Sequence, residues 1–74
     1  MKVTVKLFAT LRQGRFDIEV LDIHPGTEVG DIVKQLGIPD KEVTLIFING
    51  RHGQLTSELH DGDTLGMFPP VGGG

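Results

Sequence analysis

The sequence predicts an α+β fold, one mixed β-sheet packed on one main helix. Three observations predict it. Apolar and polar residues alternate through Val3-Thr4-Val5-Lys6-Leu7 and again through Phe16-Asp17-Ile18-Glu19-Val20. A single segment, Val29 to Leu36, repeats at helical spacing. Two further β-rich runs, Val43 to Ile48 and Thr64 to Phe68, follow it. Period-two runs are half-buried strands, and one amphipathic helix must cover one face of the sheet they form.

Each element has a local reason. The first two alternating runs flank a turn at Leu11-Arg12-Gln13-Gly14-Arg15 and read as a hairpin. In the second run the phase slips to Leu21 and Ile23, which predicts a bulge near Val20-Leu21. His24-Pro25-Gly26 ends the strand, and Thr27 is the expected N-cap, with Glu28 and Asp31 favourable at the positive end of a helix. Val29, Ile32, Val33 and Leu36 share one face of a helix of about ten residues, stopped by Gly37 and Pro39. Gly30 weakens that helix by up to ~1 kcal/mol, so packing must hold it. The run from Val43 to Ile48 is apolar on both parities, a strand covered on more than one side. Asn49-Gly50 is a turn in which both residues tolerate positive φ. A weaker segment passes through Leu55 and Leu59, Asp61-Gly62-Asp63 turns, and Pro69-Pro70 terminates the last strand.

Composition excludes several classes of function. The chain has 74 residues, enough for one small domain, with 38% hydrophobic and 23% charged residues. No apolar run approaches a transmembrane span and Met1-Lys2-Val3-Thr4 is no signal peptide, so a cytoplasmic protein with no membrane partner is expected. With no cysteine, there is no disulfide, thiolate metal site or cysteine nucleophile. A net charge of −3, with the seven basic residues scattered between Lys2 and Arg51, argues against nucleic acid as a partner. His24, His52 and His60 lack ligand spacing, so no metal is expected. Gly50-Arg51-His52-Gly53 lacks the pattern of a phosphate loop, and Asp61 and Asp63 read as turn acids.

The sequence closes on Phe68-Pro69-Pro70-Val71-Gly72-Gly73-Gly74. Glycines have no side chain to pack and the largest backbone entropy to lose, so such a tail adds nothing obvious to a fold. Its merit is thinness: it can thread a narrow channel and present a carboxylate to another protein's active site. A frayed terminus is the plainer reading.

The order hairpin, helix, strand, irregular crossing, strand resembles the ubiquitin-like β-grasp. The Asp61-Gly62-Asp63 turn, the strand after it and the Phe-Pro-Pro and diglycine ending resemble the C-terminus of the small sulfur-carrier subunit of molybdopterin synthase (MoaD). Val5-Lys6-Leu7-Phe8-Ala9-Thr10-Leu11-Arg12 resembles that family's first strand and turn, and the likeness covers essentially the whole chain. The short helix and the Val-Gly-Gly-Gly ending are also similar to the thiamine sulfur carrier (ThiS). The resemblance implies a β-grasp domain over residues 1–70 and a flexible glycine tail over 71–74. It implies a carrier rather than an enzyme, with no bound cofactor. An ATP-dependent activating enzyme (MoeB/ThiF-like) would adenylate Gly74, with Gly72 and Gly73 threading the partner's active site. A sulfur donor would then make a thiocarboxylate, delivered to the large subunit of molybdopterin synthase or another acceptor enzyme. Thiamine thiazole synthesis, attachment to lysines as a protein modifier, and a non-conjugating β-grasp interaction module are the alternatives.

Parity suggests where partners dock. If Val3, Val5 and Leu7 face the helix, Phe8 falls on the open face of the sheet; if Leu65 and Met67 face inward, so does Phe68. With Leu45 and Phe47 inward, Ile46 joins them. The expected partner-binding residues are therefore Phe8, Ile46 and Phe68, with Pro69, Pro70 and Val71 leading into the tail.

Overall fold

Strand β1 (Lys2–Leu7) lies inside the sheet, and its Val3, Val5 and Leu7 are completely buried, as alternate apolar residues on a pleated strand require. The computed structural model describes residues 1–70. A 3₁₀ turn over Ala9–Arg12 seats Leu11 in the core, and β2 (Ile18–Asp22) returns antiparallel to β1. Register is unbroken from Lys2 opposite Asp22 to Lys6 opposite Ile18, so the bulge expected at Val20-Leu21 is corrected. The phase slip is instead a change of face. Phe16 packs on the core before the strand begins, whereas within β2 it is Leu21, not Ile18 or Val20, that packs on it. Ile18 and Val20 are 61% and 56% exposed on the other side.

Helix α1 (Val29–Gln35) has seven residues, shorter than the spacing suggested. Its N-cap is Glu28 rather than Thr27: the Glu28 N–H donates to Asp31 Oδ2 at 2.9 Å while the Asp31 N–H donates back to the Glu28 carbonyl at 3.0 Å. Thr27 instead donates its hydroxyl to the His24 carbonyl at 2.7 Å. At the other end Gly37 sits at φ 71°, its N–H on the Lys34 carbonyl and the Ile38 N–H on the Val33 carbonyl, both at 3.0 Å. That double bond is the left-handed cap which glycine permits, and it drives Ile38 into the core. Gly30 has a packing reason. Its N–H donates to the Leu55 carbonyl at 2.8 Å, and a Cβ there would stand 3.2 Å from the same oxygen. The helix gives up propensity so that the backbone of the crossing segment can approach.

Strands β3 (Leu45–Ile48) and β4 (Arg51–His52) form a hairpin through Asn49 and Gly50, at φ 53° and 80°, the primed turn that matches strand twist. Strand β5 (Thr64–Phe68) lies between β1, to which it is parallel, and β3, to which it is antiparallel. The resulting order is β2-β1-β5-β3-β4. One mixed five-stranded sheet with one α-helix, in this order, is the ubiquitin-like β-grasp. The core lies between sheet and helix: Val3, Val5, Leu7, Leu65 and Met67 meet Val29, Ile32, Val33 and Leu59 there. Among the described residues no helix is long and apolar enough to cross a membrane.

Candidate functional site

The face of the sheet turned away from the core carries the site. Register sets one row across all five strands: Ile18, Lys6, Gly66, Phe47 and His52 are successive direct neighbours. Phe8 follows β1, held where its N–H donates to the Met67 carbonyl at 3.2 Å. Its ring stacks on Phe68 with centroids 4.1 Å apart and planes 5° apart. Phe47 meets Phe68 edge-on at 5.8 Å. The Arg12 guanidinium stands 5.7 Å over the Phe8 ring while its Nε donates to the Leu7 carbonyl at 2.9 Å. All three phenylalanines are half-buried. They form a partly exposed aromatic cluster, the kind of surface that anchors protein partners.

Phe8 and Phe68 are thus placed together on the open face, as strand parity indicates. Ile46 is not. It is 5% exposed and lies opposite Met67, so it belongs to the core, and Phe47 takes the place expected for it. A strand apolar on both parities does not reveal its inward side. No local signal marks Phe47 as the outward residue: only its pairing opposite Gly66 in β5 does so, and that pairing is long-range. Pro69 is half-buried and Pro70 exposed, continuing from β5 directly after the cluster. Val71, Gly72, Gly73 and Gly74 lie outside the described residues.

The turn before β5 fixes where that strand begins. Asp61 Oδ1 accepts the Lys2 N–H, and Asp63 Oδ2 accepts the His60 N–H, each at 2.8 Å. Asn49 bridges from the hairpin: its Nδ2 donates to Asp63 Oδ1 at 2.8 Å and its Oδ1 accepts the Thr64 N–H at 2.9 Å. Asp61 and Asp63 are therefore turn acids, and among the described residues no three His, Asp or Glu side chains gather as a metal site would need.

The hydrogen bond from the His60 backbone, aided by Asn49 and opposed by burial, holds the Asp63 carboxyl below its ordinary value. Because the folded state binds this proton more weakly, Asp63 contributes stability above the unfolded carboxylate pKa of 3.8 and loses it as pH falls further. Asp22 is shifted the same way, first by its hydrogen bond from Lys2, but this pair is open to solvent and screened by salt. The expected result is that Asp63→Asn loses less stability than the parent on going from neutral pH to about pH 2.5. Urea unfolding at high salt, where the Asp22 contribution is screened, measures the difference; equal losses would remove Asp63 as the acid-sensitive group.

A mixed sheet in this strand order, with an aromatic open face running into the chain's last segment, defines the fold class of small ubiquitin-like carriers and modifiers. The model of the ThiS family matches residues 5–74, and the chain belongs to that family. It is similar to a solved structure from Pyrococcus furiosus described as a putative molybdopterin converting factor, subunit 1. The two are 34% identical with a TM-score of 0.75, over 96% of this chain and 99% of that one. It is also similar to small archaeal modifier protein 1 of Haloferax volcanii, at 25% identity and TM-score 0.75, over 95% of this chain and 98% of that one. A third likeness is to a protein–protein complex of subunits 1 and 2 of molybdopterin-converting factor from Helicobacter pylori. There the identity is 26% and the TM-score 0.63, with each chain covered completely. No curated protein matches the chain.

Proposed function

We propose that this chain is a sulfur carrier for molybdopterin synthesis and that its chemistry takes place at the carboxylate of Gly74. The observation that supports this most is the Phe8–Phe47–Phe68 cluster, which ends on the residue from which the tail departs. A carboxylate resists attack by sulfur because oxide is a poor leaving group. An ATP-dependent activating enzyme of the MoeB/ThiF type joins the carboxylate to AMP with release of pyrophosphate. A sulfide donor then attacks the acyl carbon, AMP leaves, and a thiocarboxylate remains; with a persulfide donor the product is an acyl disulfide, whose S–S bond a thiol must reduce to release the thiocarboxylate. The carrier supplies no acid or base; it supplies position. Six residues beyond Phe68 reach at most about 20 Å when extended, so a partner that grips the aromatic cluster must keep its reacting centre within that distance.

The likeness to a molybdopterin converting factor subunit 1 and to the complex of subunits 1 and 2 supports the large synthase subunit as acceptor. The likeness to a small archaeal modifier protein favours a second reading, in which the activated Gly74 is transferred to a lysine. The test is intact mass after incubation with ATP, an activating enzyme and a sulfur donor. The expected product is heavier by the replacement of one oxygen with sulfur. An unchanged mass would sink the carrier reading, and an added mass on a lysine-bearing protein would favour the modifier.

A further inference from the structure

Gly66 occupies a position where the fold does not ask for glycine. It lies in β5 at the centre of the sheet, and its backbone is extended. The nearest atom to a Cβ built there is Phe8 Cε2 at 3.5 Å, an ordinary contact. Gly30 and Gly53 differ: a Cβ would stand 3.2 Å from the Leu55 carbonyl oxygen at one and 3.0 Å from Ile48 Cδ1 at the other. Glycine within a strand costs stability relative to alanine, because it loses more backbone freedom on folding. Here that cost leaves a notch of about 230 Å3 on the open face, with Gly66 at its floor and Phe8, Phe47 and Phe68 among its walls.

Lys6 stands directly opposite Gly66 across the β1–β5 ladder and lines the same notch. It also lines the adjoining depression of about 240 Å3 toward Asp17 and Ile18. Among the described residues Lys6 makes no ion pair: Asp17, just before β2, lies 3.8 Å from Arg12 Nε, Asp22 at the far end of β2 lies 3.1 Å from Lys2 Nζ, and Glu19 stands opposite Val5, on the other parity of the strand. The notch thus offers an apolar socket with a half-buried cation at its edge.

We propose that the Gly66 notch receives one apolar side chain of a partner protein, and that Lys6 pairs with a carboxylate beside that side chain. The occupant is a protein surface with an apolar residue next to an acidic one. This rests on the carrier reading and specifies its docking face. An apolar plug alone would fit many surfaces; the charge next to it selects one class and orients it.

The test titrates the adenylating enzyme with parent, Gly66→Ala, Gly66→Val and Lys6→Met. Thermal unfolding is measured in parallel, and thiocarboxylate formation is followed by mass at saturating enzyme. Filling the notch is expected to weaken binding by about tenfold or more for valine and less for alanine, without lowering thermal stability. Lys6→Met is expected to weaken it about threefold to tenfold and to flatten its dependence on salt. Each variant should still acquire sulfur once saturated. Unchanged affinity for Gly66→Ala and Gly66→Val, or an unaltered salt dependence for Lys6→Met, overturns the proposal while leaving the carrier reading intact. A parent that neither binds nor gains sulfur overturns both. If Gly66→Val unfolds, Gly66→Ala decides the socket alone.

Discussion

Removal of Gly73 and Gly74 is expected to abolish adenylation while leaving the unfolding midpoint within about a degree of the parent. The two glycines carry no side chains, and every core residue among those described lies at or before Met67. The carboxylate would still exist, but two residues nearer the docking face. Near-attack geometry tolerates errors of only about an ångström, so a shortfall of about 7 Å leaves the carboxylate out of reach. Pyrophosphate release measures activation and calorimetry measures the fold. Continued adenylation would show that the partner does not read tail length, and a fall of several degrees would show that the tail supports the domain.

The second large effect separates two neighbours on β3. Ile46→Ala is expected to cost about 2–5 kcal/mol, because Ile46 is 5% exposed and packs with the core beside Met67. Small domains hold only about 5–15 kcal/mol in all, so a substantial unfolded fraction follows. Phe47→Ala removes a half-buried ring from the open face and the edge-on contact with Phe68, a contact of about 0.5–1.5 kcal/mol. Its larger effect is expected in affinity for the activating enzyme. Urea unfolding of both variants with parallel titration makes the comparison, and a reversed order of destabilisation would put β3 the other way round.

That pair also shows what sequence can reveal. Alternation in β1 told inside from outside because Lys2, Thr4 and Lys6 interrupt the apolar positions, and Leu65 and Met67 placed Phe68 by the same rule. Leu45-Ile46-Phe47-Ile48 offers no such contrast; only its pairing with β5 decides, and pairing is long-range. In β2 the exposed Ile18 and Val20 imitated a core parity and suggested a bulge that the ladder does not contain. The helix cap moved by one residue because Glu28 and Asp31 satisfy each other's backbone groups, leaving Thr27 to bond backward to His24. The aromatic cluster was legible in two of its three members. The notch was not, since Gly66 becomes informative only when its neighbours are known.

The place of β5 in the sheet has a consequence for how the chain is made. Synthesis delivers β2-β1 and β3-β4 first, as two hairpins that share no edge, since β5 lies between them. Thr4 must wait for Thr64, a partner at the far end of the sequence, before the ladder closes. Contacts of such separation fold slowly and late. A growing or truncated polypeptide that lacks β5 therefore has neither the Phe68 stack nor the Gly66 floor, and shows an enzyme nothing to grip. Under the proposed function, partner recognition is thereby restricted to polypeptides that have been completed through Phe68 and have folded, which would keep fragments out of activation.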